Sequence, residues 1–313
     1  MKCIFIYNPL SGKGALKNQL TRIKKRLETK YDEVVVYSTA SLNDMMNTVK
    51  KAASIYDAII FSGGDGTFNT VVNVIAKEDI KPILGYIPSG TANDIAHNLK
   101  IPKNIDKAID IILKGDYVSH DIGRVNDKYF VYVCGCGTFS GLSYRTNQTA
   151  KRYLKRIAYV IDGFHEVPSP TVVDAKITMD DMSILEVKCP LLLILNSRSV
   201  GGVPFFRKGH LNDGLFDVVI VKKYVTWVGS IITTILLGIF RRRTETRYYK
   251  LCRAKKIKVE VSNDITWCLD GEKGMNGSIE VENLPGYIKI FVPTRHYRAK
   301  SIYLLEEGQS KWE

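Results

Sequence analysis

Three glycine-bearing turns follow short apolar runs near the start of the chain. Asn8-Pro9-Leu10-Ser11-Gly12-Lys13-Gly14 follows Cys3 to Tyr7, Gly63-Gly64-Asp65-Gly66-Thr67 follows Ala58 to Phe61, and Ser89-Gly90-Thr91-Ala92-Asn93-Asp94 follows Ile83 to Ile87. Glycine lets backbone N–H groups approach a ligand, and a helix starting just after such a turn favours negative charge at its N-terminus. Three such turns suggest a nucleotide, and the aspartates beside two of them suggest the metal ion that accompanies it. The common phosphate loops do not fit. Gly12-Lys13 is followed by Gly14 where a Walker A loop needs Ser or Thr. The dinucleotide fingerprint and the protein-kinase signature set are also missing from these turns.

Several carboxylates lie where they could serve such a ligand. Asp65, Asp94 and Asp121 stand at or near the ends of three separate strands. Magnesium takes few carboxylates and keeps its waters and substrate phosphates, so three converging aspartates would suit it. The plainer alternative makes Asp94 a helix cap and Asp121 a turn residue. Read from spacing alone, Asn212-Asp213-Gly214 is a turn without an ion, and Asp270-Gly271 is a hairpin turn. The five histidines lack zinc-site spacing, and no G-x-S-x-G nucleophile elbow occurs. Cys134-Gly135-Cys136 reads as two small residues in a tight turn rather than a redox pair.

The turns at 8–12, 63–67 and 90–94, in that order, resemble those of the diacylglycerol kinase catalytic superfamily. That group includes sphingosine and ceramide kinases and, more distantly, NAD kinases. Lys208 to Val218 resembles the segment that holds a structural magnesium in bacterial soluble members, and Leu269-Asp270-Gly271-Glu272 resembles the Asp-Gly-Glu that carries the catalytic base. The matching motifs span nearly the whole chain.

The resemblance implies an ATP- and magnesium-dependent lipid kinase that phosphorylates diacylglycerol to phosphatidic acid. Nucleotide contacts would come from Asn8, Ser11, Gly12, Thr39, Gly63, Gly64, Asp65, Gly66, Thr67, Asn69 and Thr91, with Lys13 as a counter-charge. Asp65, Asp94 and Asp121 would form the catalytic magnesium network. Asp213, with the carbonyls of His210 and Leu215, would hold the structural magnesium. Asp270 would be the general base and Glu272 its support. Sphingosine, ceramide, phosphatidylglycerol and NAD remain alternative acceptors, although NAD kinases typically carry Asn-Glu where this chain has Asn93-Asp94. A non-catalytic lipid- or polyanion-binding protein is the alternative from another class.

These groups need elements to position them. Apolar runs alternating with helical segments up to about residue 115 predict an α/β nucleotide-binding domain, a parallel sheet with helices on both faces. Its ligand would sit at the carboxyl ends of the strands. From about residue 118 the rhythm becomes that of a mostly antiparallel β-sandwich. Two helical stretches, Gln148 to Phe164 and Val225 to Arg243, interrupt it. We place the first, NAD kinase-like domain at 1–123, with 296–313 returning to it by resemblance, and the lipid-substrate domain at 124–295. The active site is expected in the cleft between them.

The 313 residues suffice for two cores, and their 45% apolar and 25% charged composition is that of a globular protein. The N-terminus reads as a first strand rather than a signal peptide. Six cysteines without a C-x-x-C pair read as reduced core thiols in a cytoplasmic protein. A net charge of +13 calls for an anionic partner. Residues 241–258 hold nine Lys or Arg, directly after the uncharged run Val225 to Phe240. That run is shorter than the roughly 20 residues of a spanning helix. It predicts either peripheral attachment to an anionic membrane or a buried helix with a solvated basic linker. Nucleic acid fits poorly, since no reader motif is present. A strand edge near the second sheet would make a homodimer plausible.

Overall fold

The computed structural model describes residues 1–9, 16–90, 93–137, 172–180, 182–197, 199–200, 203–204, 212–221 and 249–293. The expected helices at 148–164 and 225–243 and the returning segment 296–313 lie outside the described residues.

The first domain alternates as the apolar pattern predicts: β1 (Lys2–Tyr7), a 3₁₀ turn at Lys17–Gln19, α1 (Leu20–Leu27), β2 (Glu33–Ser38), α2 (Leu42–Ala52), β3 (Ala58–Gly63), α3 (Asp65–Lys77), β4 (Ile83–Pro88), α4 (Asp94–Asn98) and α5 (Ile105–Lys114). Strands β2, β1, β3 and β4 lie in that order and pair in parallel. Chain order reverses at β1, so the crevice at the carboxyl ends of β1 and β3 is where a ligand fits. β3 is buried along its whole length because helices cover both faces of a parallel sheet. Ser41 caps α2 by accepting from the Asp44 N–H at 3.1 Å, while Asn104 caps α5 and Gly115 ends it at φ 84°.

The second part comprises β5 (Tyr117–Val125), β6 (Lys128–Phe130), β7 (Val133–Gly137), β8 (Val173–Met179), β9 (Ile184–Cys189), β10 (Leu191–Leu195), β11 (Ser199–Val200), β12 (Val203–Pro204), β13 (Phe216–Val221), β14 (Tyr249–Ala254), β15 (Lys256–Glu260), β16 (Thr266–Leu269), β17 (Glu272–Asn276) and β18 (Ile279–Phe291). One six-stranded antiparallel sheet runs β14-β13-β10-β7-β16-β17. It packs against β5, β15, β8 and β18 around Phe130, Phe216, Trp267 and Ile194. Phe130 and Phe216 stack at 5.5 Å, and the Trp267 indole N–H donates to the Gly277 carbonyl.

Strand β18 joins the two parts. Lys289 and Ile290 pair in parallel with Ile83 and Leu84 of β4, while β18 also pairs antiparallel with β5 on both sides of its bulge and with β15 near its start. A break in register between Leu284 and Ile288 fuses what the sequence shows as two strands, because Pro285-Gly286 bulges without ending the pairing. The apolar run from Leu185 to Leu195 divides at Pro190 into β9 and β10, which belong to different sheets. β10 is apolar throughout because Leu192 and Ile194 enter the sandwich core, while Leu191, Leu193 and Leu195 join the cluster shared with the first domain. All six cysteines are free and five are buried, as expected of core thiols. The tight turn expected at Cys134-Gly135-Cys136 is instead the middle of β7, with both thiols in the sandwich. Burial pushes both thiols well above the ordinary cysteine value.

Candidate active site

The glycine turns at Gly63 and Ser89 touch. A Cβ on Gly90 would stand 2.5 Å from the Gly64 Cα, a distance only two glycines permit. The Ser89 N–H donates to the Gly63 carbonyl at 2.9 Å. Asn93 adopts a left-handed conformation at φ 54°, which lets its side chain turn back. Its Oδ1 accepts from the Gly90 N–H and its Nδ2 donates to the Gly90 carbonyl. The Tyr86 hydroxyl, buried beneath, donates to the Gly63 carbonyl at 3.1 Å.

Helix α3 starts at Asp65 itself, so the glycine turn is the first turn of a 13-residue helix. Gly64, its N-cap, has no side chain to cover the first amides. An uncapped helix start beside a second glycine turn, at the carboxyl ends of β3 and β4, is built for an anion. Thr39 is buried where β1 and β2 end, and its hydroxyl lies 3.3 Å from the Tyr7 carbonyl, to which it donates. Asn8 lies exposed at the end of β1. Ser11, Gly12, Lys13 and Thr91 are outside the described residues.

The three aspartates expected to converge do not form one group. Asp65 is directed at the start of α4, where its Oδ1 accepts from the Ile95 N–H at 3.0 Å. Burial raises its pKa, opposed by the amides of Ile95, Asp94 and Asn93. Asp94 is buried beside it. Asp121 lies mid-strand in β5 opposite the bulge of β18, because β5 continues past the point where a terminus was expected. Its carboxylate accepts from the Gly286 N–H at 2.7 Å and the Gly214 N–H at 2.8 Å. Burial lifts its pKa to about 6, and Asp213 adds to the rise. Among the described residues, no group of three or more His, Cys, Asp or Glu is placed to hold a metal ion.

Tyr132, whose hydroxyl donates to the Asp270 carbonyl at 2.9 Å, also feels Asp65 and Asp94. The Tyr132 phenol is pushed well above its ordinary value, first by burial and then by these three carboxylates. Asp270 and Gly271 have φ of 51° and 90° and form a two-residue hairpin, with Leu269 opposite Glu272. The hairpin drives the Asp270 side chain inward against the link between β6 and β7. Its Oδ2 accepts from the Val131 N–H at 2.6 Å and Asn69 Nδ2 at 2.7 Å, and its Oδ1 from the N–H groups of Tyr132 and Val133 at 2.9 and 3.0 Å. A carboxylate has about four acceptor sites, and all are taken. Burial raises its pKa to about 6, with the four donors limiting the rise. The carboxylate expected to act as general base is thus held by four donors in this structure. Asn69, expected to contact nucleotide, gives its amide N–H to Asp270.

Glu272 is differently placed. It is exposed, and a Cβ on Gly66 would lie 2.7 Å from its Oε1. The second domain therefore brings a solvated carboxylate over the first turn of α3.

This arrangement has known counterparts. Residues 2–125 match the model of the diacylglycerol kinase catalytic domain, and residues 137–292 match that of the YegS C-terminal NAD kinase beta sandwich-like domain. A diacylglycerol kinase of Staphylococcus saprophyticus is 35% identical over 292 residues, covering 92% of this chain and 94% of the relative. This chain belongs to the diacylglycerol kinase family. The family's Bacillus subtilis member is 34% identical over 294 residues, covering 92% of this chain and 95% of that one. A crystal structure of a Bacillus anthracis diacylglycerol kinase shares the fold at TM-score 0.75 and 24% identity, covering 94% and 97% of the two chains. An Archaeoglobus fulgidus NAD kinase, solved in complex with ATP, shares the fold at TM-score 0.54 and 13% identity, covering 98% and 100%. The chain is a lipid kinase by family, and its α/β domain and antiparallel sandwich are those expected.

Two features of this diacylglycerol kinase family member lie away from the turns. Asp213 pairs with the Arg253 guanidinium, and its Oδ1 accepts from the Leu215 N–H at 3.3 Å. Arg253 also meets Asp217 at 3.2 Å. A cation of the protein's own thus sits on the carboxylate expected to bind a structural magnesium, and His210 lies outside the described residues. Sequence reading also missed Tyr132 and Asn196. Asn196 Nδ2 donates to the carbonyls of Asp121 and Val131, tying β5 to the Asp270 nest. Neither residue carries a local signal, because each acts through partners distant in sequence.

Proposed function

We propose that this protein transfers the γ-phosphate of ATP to the free hydroxyl of diacylglycerol, giving phosphatidic acid, with magnesium accompanying the nucleotide. The observation that carries the reading is Glu272 standing over Gly66 while Asp270 is fully bonded. The amides at the start of α3 and of the Gly90 turn would receive the phosphates, which phosphoryl transfer needs held in line and neutralised. Magnesium would offset the charge of the phosphate oxygens, with Asp65 and Asp94, at the starts of α3 and α4, to hold it; Asp121 is engaged elsewhere. Glu272 would accept the hydroxyl proton as that oxygen bonds to γ-phosphorus and the bond to the β-phosphate oxygen breaks, releasing ADP. Asp270, ionised, would fix the hairpin that carries Glu272.

Long-chain diacylglycerol stays in the bilayer, so the enzyme would work at the membrane surface from the cytoplasm. The basic residues of 241–258 and the uncharged run Val225 to Phe240 support peripheral attachment. Among the described residues no helix is long and apolar enough to cross a membrane. Labelled ATP with magnesium, offered diacylglycerol, sphingosine, ceramide, phosphatidylglycerol and NAD in parallel, tests the reading. Labelled phosphatidic acid that disappears in Glu272→Gln is expected. Label only in another acceptor would replace the substrate, and no transfer to any would overturn the kinase reading.

A further inference from the structure

Asn73 has no place in the site described so far, yet it sits at the head of a hydrogen-bond chain ending on Asp270. It lies one helical turn after Asn69 on the α3 face that meets the second domain. The Tyr129 N–H donates to Asn73 Oδ1 at 3.0 Å, and Asn73 Nδ2 donates back to the Tyr129 carbonyl at 3.0 Å. The same Nδ2 donates to Asn69 Oδ1 at 2.9 Å, and Asn69 Nδ2 donates to Asp270 Oδ2 at 2.7 Å.

The direction of this chain is not arbitrary. A backbone N–H can only donate, so Tyr129 forces the oxygen of Asn73 toward itself and leaves the Asn73 nitrogen facing Asn69. That nitrogen also donates to the Asn69 backbone carbonyl at 3.0 Å, and its contact with the Asn69 side-chain oxygen favours the arrangement in which the Asn69 nitrogen faces Asp270. The Tyr129 backbone of the second domain thereby sets the orientation of an amide in the first domain, which sets the polarity presented to a carboxylate of the second.

We infer that Asn73 is a positioning residue for the phosphotransfer site, holding Asn69 so that it offers a donor to Asp270 and keeps that carboxylate ionised beneath the Glu272 hairpin. The inference rests on the proposed kinase reading. The ionisable groups facing Asp270 are Tyr132, in the link between β6 and β7, Cys134 on β7 and Cys268 on β16. Burial raises the pKa of all three, so at neutral pH they are uncharged and leave the donors to balance the carboxylate.

Asn73→Asp is the discriminating variant. It keeps the acceptor for Tyr129 but offers Asn69 only acceptor oxygens. Asn69 should then rotate its nitrogen toward residue 73 and turn its own oxygen on Asp270. That reversal and the added negative charge both disfavour the ionised carboxylate, so the acid limb of the kcat–pH profile should move up by about one pH unit. Asn73→Ala removes the constraint without adding a charge, so a smaller upward move there separates the positioning role from the charge of Asn73→Asp, and an unmoved limb there overturns the role. Thermal unfolding of each variant, followed in the same buffers, separates these effects from loss of fold.

A wild-type protein that transfers no phosphate defeats the kinase reading itself. An active wild type whose acid limb stays put in Asn73→Asp, with kcat lowered evenly across pH, defeats the positioning role and leaves Asn73 as interdomain packing. If Asn73→Asp does not fold, the Asn73→Ala limb decides: an upward shift supports the role and an unmoved limb overturns it.

Discussion

Gly64 and Gly90 lie back to back, so the turn that starts α3 and the turn that starts α4 share one backbone contact. The contact fixes how far apart the amides of the two turns stand. Gly90→Ala would put its Cβ 2.5 Å from the Gly64 Cα and 2.8 Å from Asn93 Oδ1. Backbone cannot yield there as a side-chain end can, so a loss of about 1–3 kcal/mol is expected. ATP affinity measured by calorimetry should fall at least about tenfold, the equivalent of 1.4 kcal/mol. Gly85→Ala meets only the side chains of Ile60 and Ile112 and should leave ATP affinity unchanged.

Asn93 holds that turn through its side chain as well as its backbone. Asn93→Gly keeps the left-handed conformation free of strain while removing both bonds to Gly90. Stability should drop by about 1–3 kcal/mol in chemical denaturation, the cost of leaving those groups unpaired. An unchanged midpoint would show that the turn stands without the side chain.

Glu272 and Asp270 should separate experimentally although one residue lies between them. Glu272→Gln removes an exposed carboxylate and should lower kcat by about 10²–10⁴ with the melting temperature unchanged. Asp270→Asn turns an amide nitrogen against backbone N–H donors. It should lower kcat and also destabilise the fold by about 1–3 kcal/mol. A stable Asp270→Asn beside an active Glu272→Gln would return the base role to Asp270.

The pH dependence follows from Asp270. Its carboxylate must be ionised to accept from four donors, and its pKa in the fold is about 6. Activity should therefore fall as pH drops through about 6. Stability should not follow, because the folded value lies above the ordinary 3.8 of the unfolded chain. Between those values the folded state binds the proton more readily. The stabilising contribution of this group is complete below about pH 4 and is lost as pH rises through about 6. Profiles of kcat and of melting temperature over pH 5–8 check this; a parallel fall of both toward pH 5 would assign the lost activity to unfolding.

By itself the sequence determined the α/β start, the switch to a sandwich and the positions of the glycine turns. Each is a local property: apolar period, turn chemistry and helix starts act over a few residues. The Asp270-Gly271 hairpin was legible for the same reason, since both residues tolerate positive φ. Tertiary structure alone decided where each carboxylate sits and what donates to it. Asp121 looks terminal until β5 is seen to run on beside β18, where the bulge supplies the Gly286 amide. Asp270 shows in the sequence only as a hairpin residue; the donors that hold it, Val131, Tyr132 and Val133, lie more than 130 residues away. Glu272 looks like its helper until pairing of β16 with β7 carries the hairpin over Gly66. A carboxylate's chemistry depends on burial and on who donates to it, and contacts between distant segments set both.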